Sequence, residues 1–546
     1  MKQIALLFVI TILFSCTSEK AQVDLLVKGA TIYTVNSSFE TVEAFAVKDG
    51  KIIEVGASKD LENKYEATKI LMFEGKTIVP GLIDAHAHLY NLGVSMQQVN
   101  LYGTKSFEDV LERVIAFQKE KNTEYILGRG WDQNDWSVKE YPTKKELDSL
   151  YPNIPVALTR IDGHAFIANS KALELAGITA NTKLEGGEVI LINGEPSGVL
   201  IDTPMSLVRK TFPKQNAAYH TKVLKEAEKK CLKLGLTTVN DAGLDREIIE
   251  LIDSLQQKGE LSMRVYAMVS NSKENLEYYL AKGKIKTDRL NVRSIKIYAD
   301  GALGSRGAAL KNEYSDMSHH FGAMITPMKQ MDSLATIIAK AGYQMNTHAI
   351  GDSANVSVLK VYTKVLKNEK DPRWRVEHSQ IVSLSDFDCF SEKILPSIQP
   401  THATSDMYWA EDRIGSERIK GAYAYKTLLK KSGMVALGTD FPIEKVNPMH
   451  TFYSAVARKD LNNYPAEGYR KEEALTREET LKGMTIWAAY SNFEENEKGS
   501  IEVGKLADFT ILDTNIMTCS EDDIPTIQVL ATYINGEKVY EKGLKY

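Results

Sequence analysis

Eight apolar, strand-like runs separated by longer segments of helical composition set the strongest limit on how this chain folds. The runs fall at residues 78–88, 237–242, 264–269, 294–300, 343–349, 374–379, 394–400 and 434–441. Strands alternating with helices predict parallel βα units, and eight of them suit a (β/α)8 TIM barrel. A doubly wound sheet fits the alternation alone equally well. The two are separated by where the polar residues fall. His86 and His88 end the first run, Lys296 lies in the fourth, His348 is near the end of the fifth, His378 ends the sixth and Asp440 ends the eighth. In a barrel all strand C-termini open on one face, so these residues predict a single shared site. Residues i and i+2 of a strand point the same way, so His86 and His88 offer two imidazoles to one metal ion. Imidazole and carboxylate together suit Zn2+, and an acid held beside the ion can accept a proton.

The ends of the chain read differently. Residues 23–79 are short β-like runs with Asp49-Gly50 as a hairpin signal, and residues 499–546 have the same character. Both ends are expected to build one small β-sandwich domain that brackets an 80–498 barrel. The gap between the first and second barrel strands is far longer than one helix, so residues 100–215 or so are read as an inserted subdomain, on the face where barrel active sites form. A net charge of −5 gives no electrostatic footprint for nucleic acid. A homo-oligomer is left open.

The first residues carry Lys2, an apolar run over 4–14 and then Leu13-Phe14-Ser15-Cys16. This is a secretory signal too short to span a bilayer. Its end resembles a bacterial lipoprotein signal, which implies removal of residues 1–15, lipid attachment at Cys16 and export to a periplasmic or outer-membrane position held by that anchor alone. Cys231, Cys389 and Cys519 are far apart, form no Cys-x-x-Cys and are expected to be small apolar side chains.

The motifs Pro80-Gly81-Leu82-Ile83-Asp84-Ala85-His86-Ala87-His88, Thr347-His348-Ala349-Ile350-Gly351-Asp352, Arg375-Val376-Glu377-His378 and Gly438-Thr439-Asp440-Phe441-Pro442 resemble the metal motifs of the amidohydrolase superfamily. Gly130-Trp131-Asp132, Asp162-Gly163-His164 and Ala299-Asp300-Gly301-Ala302-Leu303-Gly304-Ser305-Arg306 are similar to its branch containing N-substituted formamide deformylase. The resemblance implies one metal on His86 and His88, a second on His348 and His378, and Asp440 as both ligand and general base. It implies that Lys296 is carboxylated and bridges two divalent ions, whereas an unmodified Lys296 would leave one. The expected reaction is hydrolysis of a non-peptide C–N bond in a small amide, formamide or related N-acyl compound. The rivals are hydrolysis of cyclic amides, amidines or esters at the same centre, and a non-catalytic binding lipoprotein. His164, Trp131 and Arg306 are the candidate substrate contacts. His220 is expected at the surface, and His319, His320, His402 and His450 receive no role.

Overall fold

The computed structural model describes residues 20–161, 163–184 and 187–543. The leader, Cys16 and Asp162 lie outside the described residues. The barrel strands are Leu82–Ala87, Leu236–Leu244, Arg264–Ser270, Leu290–Tyr298, Gln344–Ala349, Trp374–His378, Ile394–Ile398 and Ala436–Leu437, hydrogen-bonded in that order and parallel throughout. Each predicted run overlaps one of them. The ring closes just beyond the last strand, where the Asp440 N–H donates to the His86 carbonyl at 2.8 Å and the His88 N–H donates to the Phe441 carbonyl at 2.8 Å. Closure therefore sets Asp440 against the two histidines.

The apolar runs are nearly continuous because barrel strands are covered on both faces. Amphipathic helices cover the outside. Arg246–Gln257 buries Ile248, Ile249, Ile252 and Leu255, a helical stripe, while the opposite side stays charged. Ala217–Lys233 is capped by the Asn216 side chain, which accepts from the Tyr219 N–H, and it buries Val223, Leu224, Ala227 and Cys231. His220 on this helix is buried, not at the surface as expected, because its Nδ1 shares a 2.7 Å hydrogen bond with the Tyr90 hydroxyl.

The first predicted run proves to be two strands. Thr77–Pro80 pairs with Phe509–Leu512 of the β domain, and only from Leu82 does the chain join the barrel. Gly81 makes the transition: a Cβ there would stand 2.4 Å from Thr237 Oγ1. The β domain is a single sheet in the order Glu537–Glu541, Val529–Ile534, Phe509–Leu512, Thr77–Pro80, Ala21–Tyr33, Thr41–Lys48, Lys51–Gly56, with Tyr65–Met72 also paired to Ala21–Tyr33. Both chain ends contribute, as expected. The sheet bends back on itself, so that Phe45 meets Phe509 edge-on at 5.1 Å although their strands are not neighbours. The sandwich is thus made by one folded-over sheet. Arg264 at the foot of the third barrel strand grips Asp508 of this domain through two hydrogen bonds of 2.7 and 3.1 Å, with both side chains buried.

The insertion has a sheet of its own, ordered Gly187–Ile192, Glu195–Asp202, Ala165–Ala168, Val156–Arg160, Ile126–Trp131, Val99–Asn100 among the described residues. No helix among the described residues is long and apolar enough to cross a membrane.

Candidate metal centre

Asp84 builds the floor of the site. Its carboxylate accepts the His86 N–H at 3.1 Å, the Thr439 N–H at 3.1 Å and the Thr439 hydroxyl at 2.7 Å, which staples the first strand to the turn after the eighth. Burial pushes this carboxyl up to about 7 against those hydrogen bonds. Gly438 lets the two segments touch, since a Cβ there would lie 2.5 Å from the His86 nitrogen. Asp440 and His378 both have left-handed backbones, with φ of 61° and 72°. Such strain in non-glycine residues is concentrated where function demands a particular side-chain direction.

Asp440 is the hub. Its Oδ1 lies 3.2 Å from His88 Nε2 and 3.7 Å from His86 Nε2, and its Oδ2 lies 3.2 Å from His402 Nε2. Four of the imidazoles have their second nitrogen anchored. His86 Nδ1 is 2.5 Å from Glu377 Oε2, His88 Nδ1 2.9 Å from the Ala242 carbonyl, His378 Nδ1 2.7 Å from Gln399 Oε1, and His402 Nδ1 3.2 Å from Glu444 Oε1. This is how ligating histidines are aimed: the outer partner fixes the ring and leaves the other nitrogen for the ion. Glu377 is itself held by Arg375 (Nε to Oε1, 2.7 Å), and both side chains are fully buried.

The electrostatics favour the ligand forms. Burial lowers His86 to about 4 and His348 to about 3, each aided by the neighbouring Lys296 charge, and drives His378 well below the imidazole range. Burial lowers Lys296 to about 8 despite Glu377 and Asp440. For Asp440, burial acts upward, but the neighbouring imidazoles of His402, His88, His86 and His378 outweigh it and hold the carboxyl well below its usual range. His402 differs from the other imidazoles: burial is overcome by the Asp440 and Glu444 carboxylates, which raise it to about 10.

Of the predicted site residues, the structure brings together His86, His88, Lys296, His348, His378 and Asp440. Lys296 Nζ lies 3.1 Å from His86 Nε2. His348 packs its ring 4.5 Å from that of His378, and its Nε2 sits 3.8 Å from Asp300 Oδ1, buried and without a hydrogen-bond partner among the described residues. Trp131 is a correction. It is wholly buried in the insertion core, its ring tilted against that of Trp136 at 5.9 Å, and its indole N–H donates to the Leu158 carbonyl at 2.7 Å, so it presents no surface to a substrate. Arg306 is another, because its guanidinium is clamped on Asp316 at 3.1 and 2.8 Å, a carboxylate that also holds Arg413. His164 stands at the exposed surface of the insertion, 2.8 Å from Asp202.

Asp300 gives the glycine-rich loop its purpose. Its buried carboxylate accepts the N–H groups of Ala309, Ile350 and Gly351 at 2.8 to 3.0 Å and so ties together the loops after the fourth and fifth strands. Sequence reasoning missed His402. It lies two residues past the predicted end of the seventh run, on the short helix Pro400–Asp406, and the same rule extended by half a turn would have found it. Tyr298, two residues after Lys296, was also missed; its ring lies 5.6 Å from that of His348 and is partly exposed at the mouth.

With this geometry in place, the relationships of the chain are informative. Residues 73–540 match the model of the amidohydrolase family. The chain belongs to that family. This amidohydrolase is 33% identical over 537 residues to Protein LONG AFTER FAR-RED 3 of Arabidopsis thaliana, covering 95% of this chain and 91% of that protein. It is 26% identical over 552 residues to the N-substituted formamide deformylase of Arthrobacter pascens, covering 95% and 98%. Among solved structures, an uncharacterized metal-dependent hydrolase from Pyrococcus horikoshii superposes with a TM-score of 0.75 at 27% identity, over 91% of this chain and 99% of that one.

The residues present fit the divalent metal that the family uses. His86, His88 and Asp440 form one group of donor atoms lying within 4.8 Å of one another, and His378, His402 and Asp440 form another. Asp440 Oδ1, buried at the centre 3.2 Å from His88 Nε2, makes no well-aligned hydrogen bond among the described residues. A carboxylate oxygen left bare in a buried site is costly unless a cation or proton completes it.

Proposed function

We propose that this amidohydrolase hydrolyses a non-peptide C–N bond in a small amide, formamide or related N-acyl compound, with Zn2+ as its metal. The observation that carries the reading is the bare Asp440 Oδ1 facing two anchored imidazoles. His86, His88 and Asp440 would hold one ion, with His348, His378 and a carboxylated Lys296 serving a second. Bound there, a divalent ion supplies a water with its pKa lowered towards about 7 and polarises an acyl oxygen.

The remaining steps belong to the chain. Asp440 accepts the proton from the attacking water and returns it to the leaving nitrogen, yielding an acid and an amine. Glu377 and the Ala242 carbonyl keep the His86 and His88 rings from turning while this happens. Burial of Lys296 favours its neutral amine, the form that combines with carbon dioxide to give a carbamate. The likeness to a formamide deformylase favours acyl groups as small as formyl.

The test is a library of N-acyl amines offered to metal-stripped and Zn2+-reloaded protein, with and without bicarbonate. Turnover is expected only after reloading, and is expected to rise with bicarbonate together with the added mass of a carboxyl group on Lys296. Equal turnover in the stripped protein would refute the metal requirement, and a bare Lys296 in a fully active sample would refute the bridge.

A lipid anchor at Cys16 is proposed on the sequence of the leader. With strand Ala21–Tyr33 beginning five residues later, the β domain would sit within about 20 Å of the bilayer surface. Blocking lipoprotein signal processing with globomycin is expected to change the mature mass, and an unaltered mass would remove the anchor from the proposal.

A further inference from the structure

We infer that a cavity at the foot of the barrel, lined by Lys284 and Arg293, binds a phosphate group, either free or carried as a small monoester. The cavity lies where the strands begin, at the end of the barrel opposite the metal centre, and the inference does not rest on the metal-dependent reading above. Lys296 faces the barrel interior and touches His86, so Arg293, three residues earlier on the same strand, faces outward.

Three observations carry it. First, the cavity has a volume of about 340 Å3, within the range of small-ligand sites, and its walls include Gly342 and Trp374, which lead into the fifth and sixth strands, and Phe493. Second, the short antiparallel pairing of Ile285 with Val292 carries Lys284 level with Arg293, so two cations border the same space. Like charges set side by side on paired segments repel. Third, neither cation forms an ion pair among the described residues. Lys284 Nζ donates to the Gly342 carbonyl at 3.2 Å. Arg293 Nε is buried without a hydrogen-bond partner, and its guanidinium lies 3.5 Å from the centre of the Phe493 ring.

The charges around the cavity leave room for an anion. Arg373 lies 4.6 Å from the same Phe493 ring, but its charge is met by Asp371 at 2.7 and 2.8 Å and by Glu495 at 2.9 Å. Asp371 is thereby occupied, and Glu369, exposed at the rim beside Lys370, pairs with neither Lys284 nor Arg293. Burial lowers the pKa of both cations, with the Arg293 charge adding to the effect on Lys284 and the Arg373 charge to that on Arg293. A phosphate dianion relieves both: its oxygens accept from the fork of the guanidinium and from the ammonium at once. The bland alternative is that Phe493 alone holds Arg293 and solvent alone meets Lys284.

The experiment titrates the full chain with inorganic phosphate and, separately, with glycerol phosphate by calorimetry, against sodium chloride at matched ionic strength. Saturable binding of at least one of the two is expected in the wild type, with a rise in melting temperature that chloride does not give. Arg293→Gln and Lys284→Gln are each expected to weaken it by about 10- to 100-fold, the loss of one charged hydrogen-bond donor. Lys284 is exposed, so its variant keeps the test available even if Arg293→Gln fails to fold. Lys296→Met, which alters the metal centre at the other end of the strand, is expected to bind phosphate as the wild type does. No saturable binding beyond the chloride control, or unchanged affinity in Lys284→Gln, would overturn the inference. Binding lost in Lys296→Met and kept in Lys284→Gln would place the anion at the metal centre and overturn it equally.

Discussion

Asp440→Asn is expected to lower kcat/KM for any amide this protein hydrolyses by roughly 10³-fold or more, the upper part of what a positioned general base contributes. Asparagine matches the shape of aspartate and can still accept the hydrogen bond from His402 through its amide oxygen, so the closure of the barrel at His86 and Phe441, which is made by backbone groups, is undisturbed. What disappears is the charge and the lone pair that takes the proton. The surrounding imidazoles keep their own anchors in Glu377, Ala242, Gln399 and Glu444, so the fold and most of the bound metal are expected to persist. Steady-state kinetics with a circular dichroism spectrum and a metal count on the same sample check this. Unchanged turnover with metal retained would remove Asp440 from the chemistry.

Much of this site was legible because a parallel barrel leaves polar residues few places to go. Its strands are apolar over most of their length, so a histidine, lysine or aspartate within or at the end of such a run is conspicuous, and five runs that each carry at least one imply a common face. Other features needed three dimensions. His402 follows a proline that ends the run and begins a helix, so it lies just past the strand end, and its approach to Asp440 appears only once the barrel is closed. Trp131 and Trp136 could line a pocket, although two Trp at this spacing are more often packing residues. The pairing of Ile126–Trp131 with Val156–Arg160, which presents the Leu158 carbonyl to the indole, settles the choice, and that pairing is non-local. Arg306 likewise looked available for a substrate anion because Asp316 is ten residues away along a loop whose course follows from the burial of Asp300. The break at Gly81 was hidden because two strands belonging to different domains run together as one apolar stretch.

Glu377 is the residue for which stability and function are most tightly joined, and its replacement should separate them. It is fully buried, salt-bridged to Arg375 and in contact with His86 Nδ1, and Arg375 in turn donates to the Ala85 carbonyl at 2.6 Å. Burial raises its pKa, but the Arg375 guanidinium and His86 outweigh that and hold it at about 2. Glu377→Gln leaves the Arg375 charge buried without its counter-ion. It is therefore expected to destabilise the protein by about 3 kcal/mol, as breaking a buried pair does, and to weaken metal binding by about 10- to 100-fold through the loosened His86 ring. The sign of the pH effect follows from the depressed pKa. The stabilisation from Glu377 is complete above its unfolded value near 4.5 and is lost as pH falls through about 2, so the gap between wild type and variant should narrow across that window. Urea midpoints measured from about pH 6 downwards, with the metal affinity determined at neutral pH, test both parts. The double variant Arg375→Met/Glu377→Leu removes both charges and fills the space with apolar groups, and is expected to recover much of the urea midpoint while metal affinity stays low. If affinity returns along with stability, or if Glu377→Gln loses neither, Glu377 is not what positions His86.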